Sequence, residues 1–298
     1  NEDDFRKGNV GLTNKIVDIL QKHNLKTPVI YSSSIQAEMD NAYGSSKRFS
    51  EDVLTELSEK NGNLVYNYRL PNVFGKWCRP NYNSAVATFC FNTINEIPIR
   101  IDNADATIKL VYIDDVVNEF IDVITRKTDI AEDADPTVAP IYEITVEGLA
   151  KQLASFKESR SSGIINQVGT GLVRALYSTY ISYLAPSQFD YPLQKHEDAR
   201  GVFVEMLKTK DSGQFSFFSA HPGITRGGHY HHSKNEKFLV VKGKAKFGFR
   251  HIISNEVFEL YTSGDDPQVV ETVPGWSHDI TNVGDEEMYV MLWANEIF

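Results

Sequence analysis

The hydrophobic period of the chain changes near residue 187, and one layered domain does not accommodate both patterns. Before that point helical spacing alternates with short apolar runs. Residues 12–24 (LTNKIVDILQKHN) carry Ile16, Ile19 and Leu20 at helical intervals, and 27–31 (TPVIY) read as a short buried strand. A helix over 41–60, a strand over 64–70 (LVYNYRL) and a helix over 83–95 follow. Residues 111–124 (VYIDDVVNEFIDVI) read as a strand end with Asp114 or Asp115 capping the next helix, which stops near Lys127. The acidic stretch 128–140 reads as a loop, and 155–187 as a connection with a helical piece at 170–183. From about 187 the runs VFVEMLK, QFSFFSA, EKFLVV, KAKFGFR, VFELY and EMYVMLW alternate with period two between Gly, Asp and Asn turns. The expectation is an α/β domain over 1–186 and an all-β sandwich or small barrel over 187–298.

Composition narrows the partners. Forty acidic against thirty basic side chains give a net charge of −10, the wrong sign for a nucleic-acid polymer as partner. No apolar run reaches the ~20 residues of a membrane span, and the first residues (NEDDFRKGNV) lack the apolar core of a secretory signal. Two cysteines, Cys78 and Cys90, fit a reducing compartment rather than a disulfide framework, so a soluble, cytoplasmic protein is expected.

Tyr43-Gly-Ser-Ser-Lys47 puts a phenol and an ammonium four residues apart, on one face of the expected helix. A nearby cation favours the phenolate, which suits proton exchange. Ser32-Ser33-Ser34 follows the preceding strand, where a hydroxyl at the carboxyl end can bond a substrate carbonyl. With fourteen tyrosines the spacing also arises by chance, as at Tyr191…Lys195, which contains Pro192, and at Tyr230…Lys234 in the β half. The competing explanation for Tyr43 and Lys47 is a solvated helix face.

The order VIYSSS, YGSSK, YRLPNVFGKW and KLVYIDDVV resembles the later two-thirds of an extended short-chain dehydrogenase/reductase of the nucleotide-sugar branch. The resemblance implies a Rossmann-type reductase domain in which Ser34, Tyr43 and Lys47 are catalytic, with Ser33 as a second alignment for the serine. It implies that Tyr43 protonates the alkoxide, that Lys47 tunes Tyr43 and holds the nicotinamide ribose, and that Ser34 polarises the carbonyl. It places Pro71 and Val73 near the nicotinamide of NADPH and Asn72 near the nucleotide sugar; Asn72 also reads as a turn residue. One feature departs from the family. Gly8-Asn9-Val10-Gly11 follows no strand, and Gly169-Thr170-Gly171 has Arg174 where a third glycine belongs, so no phosphate loop is found. The chain is therefore expected to begin inside an incomplete reductase domain, roughly 60 residues (two βα units) into it, and to bind dinucleotide poorly or not at all.

Six of the eight histidines fall between 221 and 278. Gly223-x5-His229-x-His231-x4-Glu236-x6-Gly243 is followed by Pro274-Gly275-x2-His278-x3-Asn282. His229 and His231, two apart on a strand, face one way, with His232 on the other; Glu236 opens the next strand and His278 returns from a third. Three imidazoles and a carboxylate suit zinc, iron or manganese. The competing explanation is a surface histidine cluster. Both spaced motifs resemble the cupin family over about 200–297, which implies a cupin barrel and a divalent metal, zinc first. Asp198-Ala-Arg200-Gly201-x-Phe203 resembles the opening of sugar-nucleotide epimerase cupins, and also reads as a turn before a strand.

The connecting words PNVFGKWCRPNYNSAVATFC, LYSTYISYL and HPGITRGGHYHHSKNEKFLVVKGKAKF are similar to bifunctional bacterial capsular-polysaccharide enzymes that join the two domains. That resemblance implies a homodimer acting on a UDP-linked 4-keto-6-deoxy amino sugar. The cupin would epimerise C3 and the reductase domain would then reduce C4 with NADPH. His221, Tyr230 and Lys237 are candidate epimerase bases. A reductase beside a non-catalytic sugar-binding or dimerising cupin, and an iron cupin dioxygenase, are the competing functions.

Overall fold

The computed structural model describes residues 2–125 and 136–297. Helix α1 (Glu2–Phe5) passes through a π-helical turn, Arg6–Gly11, into α2 (Leu12–Lys22). Then come β1 (Val29–Ser34), a 3-10 turn over Ile35–Glu38, α3 (Ala42–Asn61), β2 (Val65–Leu70), β3 (Asn72–Phe74) and α4 (Ala85–Ile94). They are followed by β4 (Thr107–Tyr112), α5 (Ile113–Ile124), β5 (Tyr142–Thr145), α6 (Val146–Ser162), β6 (Ile164–Ile165) and α7 (Gly171–Ile181). The rest is strands: β7 (Lys195–Asp198), β8 (Gly201–Thr209), β9 (Gln214–Ala220), β10 (Thr225–His229), β11 (Glu236–Lys242), β12 (Lys244–His251), β13 (Val257–Ser263), β14 (Val269–Glu271), β15 (Trp276–Asn282) and β16 (Met288–Ala294). The chain divides into two compact units, Asn1–Leu153 with Ala175–Tyr183, and Ala154–Arg174 with Leu184–Phe298.

In the first unit β1 pairs in parallel with β2, from Val29↔Val65 to Ser34↔Leu70, and β3 pairs in parallel with β4. Parallel neighbours need a crossover, and α3 supplies the one between β1 and β2. Asn41 starts α3 by accepting the Gly44 N–H at 2.8 Å, and Gly62 ends it in a left-handed conformation. Leu54 and Leu57 of α3 are buried with Val17 and Leu20 of α2, each Leu stabilising by roughly 1.5–3 kcal/mol. Tyr68 and Leu70 of β2 are buried with Val111, Val116 and Val123.

Several expectations change here. The strand at 27–31 is displaced to Val29–Ser34, because the ladder to β2 carries the three serines regardless of their polarity. The buried stripe of α2 is Thr13, Val17 and Leu20; Ile16 and Ile19 are exposed. Neither Asp114 nor Asp115 caps α5: Tyr112 is its N-cap, without a side-chain bond, and both aspartates lie in the first turn, where they favour the helix dipole. The helix ends at Ile124, short of Lys127. Residues 146–162, part of which read as connection, form a 17-residue helix. Of the expected loop at 128–140, residues 128–135 lie outside the described residues.

The second unit is all-β apart from its helical segments. One sheet has the order β10-β15-β12-β13, and the other β14-β11-β16-β9-β8-β6 with β7 on β8. Period-two alternation is strict on the strands that matter: Phe247 and Phe249 on β12, His278 and Ile280 on β15, and Phe238 and Val240 on β11 all turn inward. The β11–β12 turn requires Gly243, at φ +89°. Asp198-Ala-Arg200 forms the tip of the β7–β8 hairpin, with Arg200 Nη2 2.5 Å from Asp198 Oδ2. Among the described residues, no helix is long and apolar enough to cross a membrane.

Candidate active site and candidate metal centre

The carboxyl end of β1 and the first turns of α3 border a cavity of about 970 Å³. Ser32, Ser33, Ser34, Tyr43, Lys47, Pro71, Asn72 and Val73 all line it, so the expected reductase residues meet at one place. Proximity of Tyr43 and Lys47 follows from the helix, which stacks residues four apart. Lys47 Nζ donates to the Ser32 carbonyl at 2.9 Å and sits 5.8 Å from the Tyr43 ring centre and 5.0 Å from that of Tyr31. Burial lowers the Lys47 ammonium from its ordinary value, and the Glu51 carboxylate opposes the shift. Phe5 packs edge-on against Tyr43, with ring centres 5.3 Å apart.

The serines separate by what they already bond. Ser33 is buried and its hydroxyl donates to Glu51 Oε1, which Arg69 also engages through Nε at 3.0 Å. Ser34 Oγ accepts the Gln36 N–H at 3.2 Å and keeps its own proton for a ligand oxygen. Asn72 Nδ2 donates to the Lys109 carbonyl at 3.0 Å, joining β3 to β4 as well as facing the cavity. Gly44 admits α3 at this distance: a Cβ there would lie 2.0 Å from the Gln36 carbonyl oxygen.

These residues fit the nicotinamide and ribose end of a dinucleotide. Neither glycine pair supplies the family's phosphate loop: Gly8 and Gly11 lie in the π-helical turn, and Gly169-Thr170-Gly171, between the two-residue β6 and α7, has Arg174 where a third glycine belongs.

In the β unit His229, His231, Glu236 and His278 bring one ligand atom each within 4.8 Å of one another. His229 closes β10, Glu236 opens β11 and His278 lies inward on β15, opposite His229 in the ladder. His231 does not share a strand with His229. The ladder slips between Gly227 and His229, β10 ends there, and His231 reaches the cluster from the following loop. The ring centres of His231 and His278 both lie near that of His229, 4.9 Å away in each case. His232 is exposed and packs on Tyr230.

Glu236 Oε2 lies 3.4 Å from His231 Nε2 and 3.1 Å from His278 Nε2. Glu236 Oε2 and His231 Nε2 are nonetheless buried without a hydrogen bond, as is His278 Nδ1. Orphaned donor atoms at the centre of a three-imidazole, one-carboxylate set are what a divalent metal completes, so the residues fit one. Burial, reinforced by the neighbouring His278 and His231, lowers His229 and keeps its imidazole neutral at pH 7, the ligating form.

A small cavity of about 130 Å³ opens beside the cluster, lined by His229, Glu236 and His278 and walled by Phe218, Phe238 and Phe247. His221, Tyr230 and Lys237 do not line it; Lys237 pairs with Glu271 and His221 Nδ1 lies 3.7 Å from Glu287. Arg226 does line it, and sequence reasoning missed it. Its Nε donates to the Ser219 carbonyl at 3.0 Å, its guanidinium sits 5.2 Å from the Phe218 ring centre, and its buried Nη2 has no partner. No spacing signal marked it, since a residue three before His229 on a regular strand would face the other way, and the ladder slips between the two. Asn282, part of the histidine motif, is structural: its Nδ2 donates to the Ala220 and Glu286 carbonyls, each at 2.8 Å.

Comparison with known proteins agrees with this division. Residues 1–135 match the NAD dependent epimerase/dehydratase family, and residues 196–298 match the polysaccharide biosynthesis C-terminal domain. A UDP-2-acetamido-2,6-beta-L-arabino-hexul-4-ose reductase from Pseudomonas aeruginosa is 57% identical over 296 residues, which is 99% of this chain and 79% of that protein. The crystal structure of the capsular polysaccharide assembling protein CapF from Staphylococcus aureus superposes with a TM-score of 0.91 at 43% identity, covering 96% of this chain and 77% of that one. A structure of CapF with the inhibitor 3-isopropenyl-tropolone gives 0.86 at 41% identity, over 96% and 79% of the two chains.

Proposed function

The chain belongs to the family of UDP-2-acetamido-2,6-beta-L-arabino-hexul-4-ose reductases, and from that premise we propose that it is a bifunctional nucleotide-sugar enzyme of capsular polysaccharide synthesis. Its β unit epimerises C3 of a UDP-2-acetamido-2,6-dideoxy-4-hexulose. Its α/β unit reduces the C4 ketone to UDP-2-acetamido-2,6-dideoxy-L-talose, on the way to UDP-N-acetyl-L-fucosamine. The observation that carries the reading is a serine–tyrosine–lysine site and a three-histidine, one-glutamate cluster in one chain.

The two chemistries share one ketone. In the α/β site Ser34 donates a hydrogen bond to the C4 oxygen, and Tyr43 delivers the proton that the developing alkoxide needs. Lys47, held by the Ser32 carbonyl, presents its cation to Tyr43 and to the ribose. Pro71 and Val73 bound the nicotinamide side and Asn72 the sugar side. NADPH, when bound, supplies the hydride.

In the β unit His229, His231, Glu236 and His278 would hold a divalent metal, zinc by donor set, which when bound supplies a Lewis acid. The 4-keto group acidifies the C3 proton, and Arg226 offers its unpartnered Nη2 to the enolate oxygen. The phenylalanine walls exclude water and strengthen that interaction. Two free cysteines, one buried, support a cytoplasmic location, and the family resemblance supports a homodimer.

Incubating the chain with the UDP-4-keto sugar in deuterium oxide, without NADPH, tests the epimerase half. Label appears at C3 if the reading is right; an intact, metal-loaded protein that introduces none contradicts it. A second reading makes the metal structural and the cupin non-catalytic. Four protein donors favour it, since together they would fill a tetrahedral site and leave no open position. Unchanged turnover in His229→Ala would support that version.

A further inference from the structure

The loop between β3 and α4 holds a tryptophan out in solvent, and it does so at a conformational cost. Trp77 is 87% exposed and adopts φ +67°, a region that bulky residues seldom enter. Strain of this kind persists only where the surroundings impose it, and it gathers at ligand clamps. The surroundings here do impose it. Lys76 Nζ is 2.6 Å from Asp114, the Cys78 carbonyl accepts the Tyr183 hydroxyl at 2.5 Å, and the Asn81 N–H donates to Thr88 Oγ1 at 2.9 Å. The loop is pinned on both sides of the indole.

It carries two aromatic–cation pairs. Lys76 Nζ lies 5.4 Å from the Trp77 ring centre, and the Arg79 guanidinium lies 5.8 Å from that of Tyr82, itself 72% exposed. The loop leaves β3 after Phe74, one residue beyond Val73, and returns through Asn83; Val73 and Asn83 line the 970 Å³ cavity. Flat apolar rings between cations match a base followed by phosphates, because every base has a face to stack and a diphosphate seeks guanidinium and ammonium.

We propose that this loop is the nucleotide-holding element of the α/β unit: Trp77 stacks on the uracil of a uridine diphosphate, with Arg79 and Lys76 serving the diphosphate. The proposal rests on the nucleotide-sugar reading above and adds to it the residues that hold the nucleotide.

Calorimetric titration of the 298-residue chain with UDP, and separately with NADPH, tests it in wild type, Trp77→Ala and Trp77→Phe. The expected result is UDP binding weakened about tenfold or more by Trp77→Ala and by no more than about threefold by Trp77→Phe, which keeps a stacking ring. Whatever affinity the chain has for NADPH is expected to be the same in all three proteins. UDP is also expected to quench the tryptophan emission of wild type and to lose that quench in Trp77→Phe, which retains only Trp276 and Trp293. Equal UDP affinity in wild type and Trp77→Ala overturns the stacking role and leaves the keto-sugar reading standing. A loss that falls on NADPH instead assigns the loop to the cofactor and also overturns the proposal. A folded wild type that binds no UDP overturns both this inference and the reading beneath it.

Discussion

Burial alone would drive the Glu236 carboxyl up, yet His278, Lys234 and His231 around it bring it down to about 2. A carboxyl whose folded value is depressed contributes its stability above its ordinary value of 4.5, and loses it as pH falls toward about 2. Glu236 therefore stays charged throughout the mildly acid range, and protons there compete for the imidazoles. His229, already lowered from 6.5 by burial, resists that competition somewhat. Metal content after equilibrium dialysis should be full at pH 7.5 and should fall through about pH 6 to 5, as histidine ligands protonate. Retention down to about pH 3 would show that the histidines do not ligate. The spacing of two short motifs, together with their resemblance to the cupin family, made the four donors legible, because the motifs contain them all. Arg226 was hidden because one arginine on a strand carries no spacing signal, and its meaning lies in a buried nitrogen without a partner.

The element that places the proposed reductase residues is α3. Its first turn approaches the 3-10 turn after β1 so closely that a Cβ on Gly44 would meet the Gln36 carbonyl at 2.0 Å and that of Met39 at 2.8 Å. Neither neighbour is a flexible side chain, so Gly44→Ala must push the helix away. It should cost about 1–3 kcal/mol of stability and cut C4 reduction far more than C3 exchange, since it moves Tyr43 relative to Ser34. Parallel assays of the two activities check this; equal losses would mean that α3 does not set that geometry. Helix α3 and the strands beside it were legible in the sequence because period and punctuation agree, with Asn41 before and Gly62 after. Helix α6 was missed because its 17 residues are weakly amphipathic and mostly polar, leaving little periodicity to read. The loop position of His231 was illegible for another reason: alternation predicts a shared face only while the strand lasts, and β10 ends two residues earlier.

The whole molecule comprises two units, each with its own apolar core: Leu54, Leu57 and Tyr68 belong to one, Phe247 and Val290 to the other. A metal held by four residues of the β unit stabilises that unit and no other, by an amount that grows with its saturation. Chelation should lower one calorimetric transition by roughly 10 °C or more and leave the other in place. Joint displacement of both would contradict independent cores. We propose that the same separation divides the chemistry, one reaction to each unit. Its most direct measurement is a crossed comparison of Tyr43→Phe and His229→Ala on the UDP-4-keto sugar, following C3 deuterium uptake without NADPH and C4 reduction of the pre-epimerised sugar with it. Tyr43→Phe is expected to keep the uptake and lose about a hundredfold or more of the reduction, while His229→Ala is expected to lose the uptake and keep the reduction. C3 exchange that survives in folded, metal-free His229→Ala would contradict it.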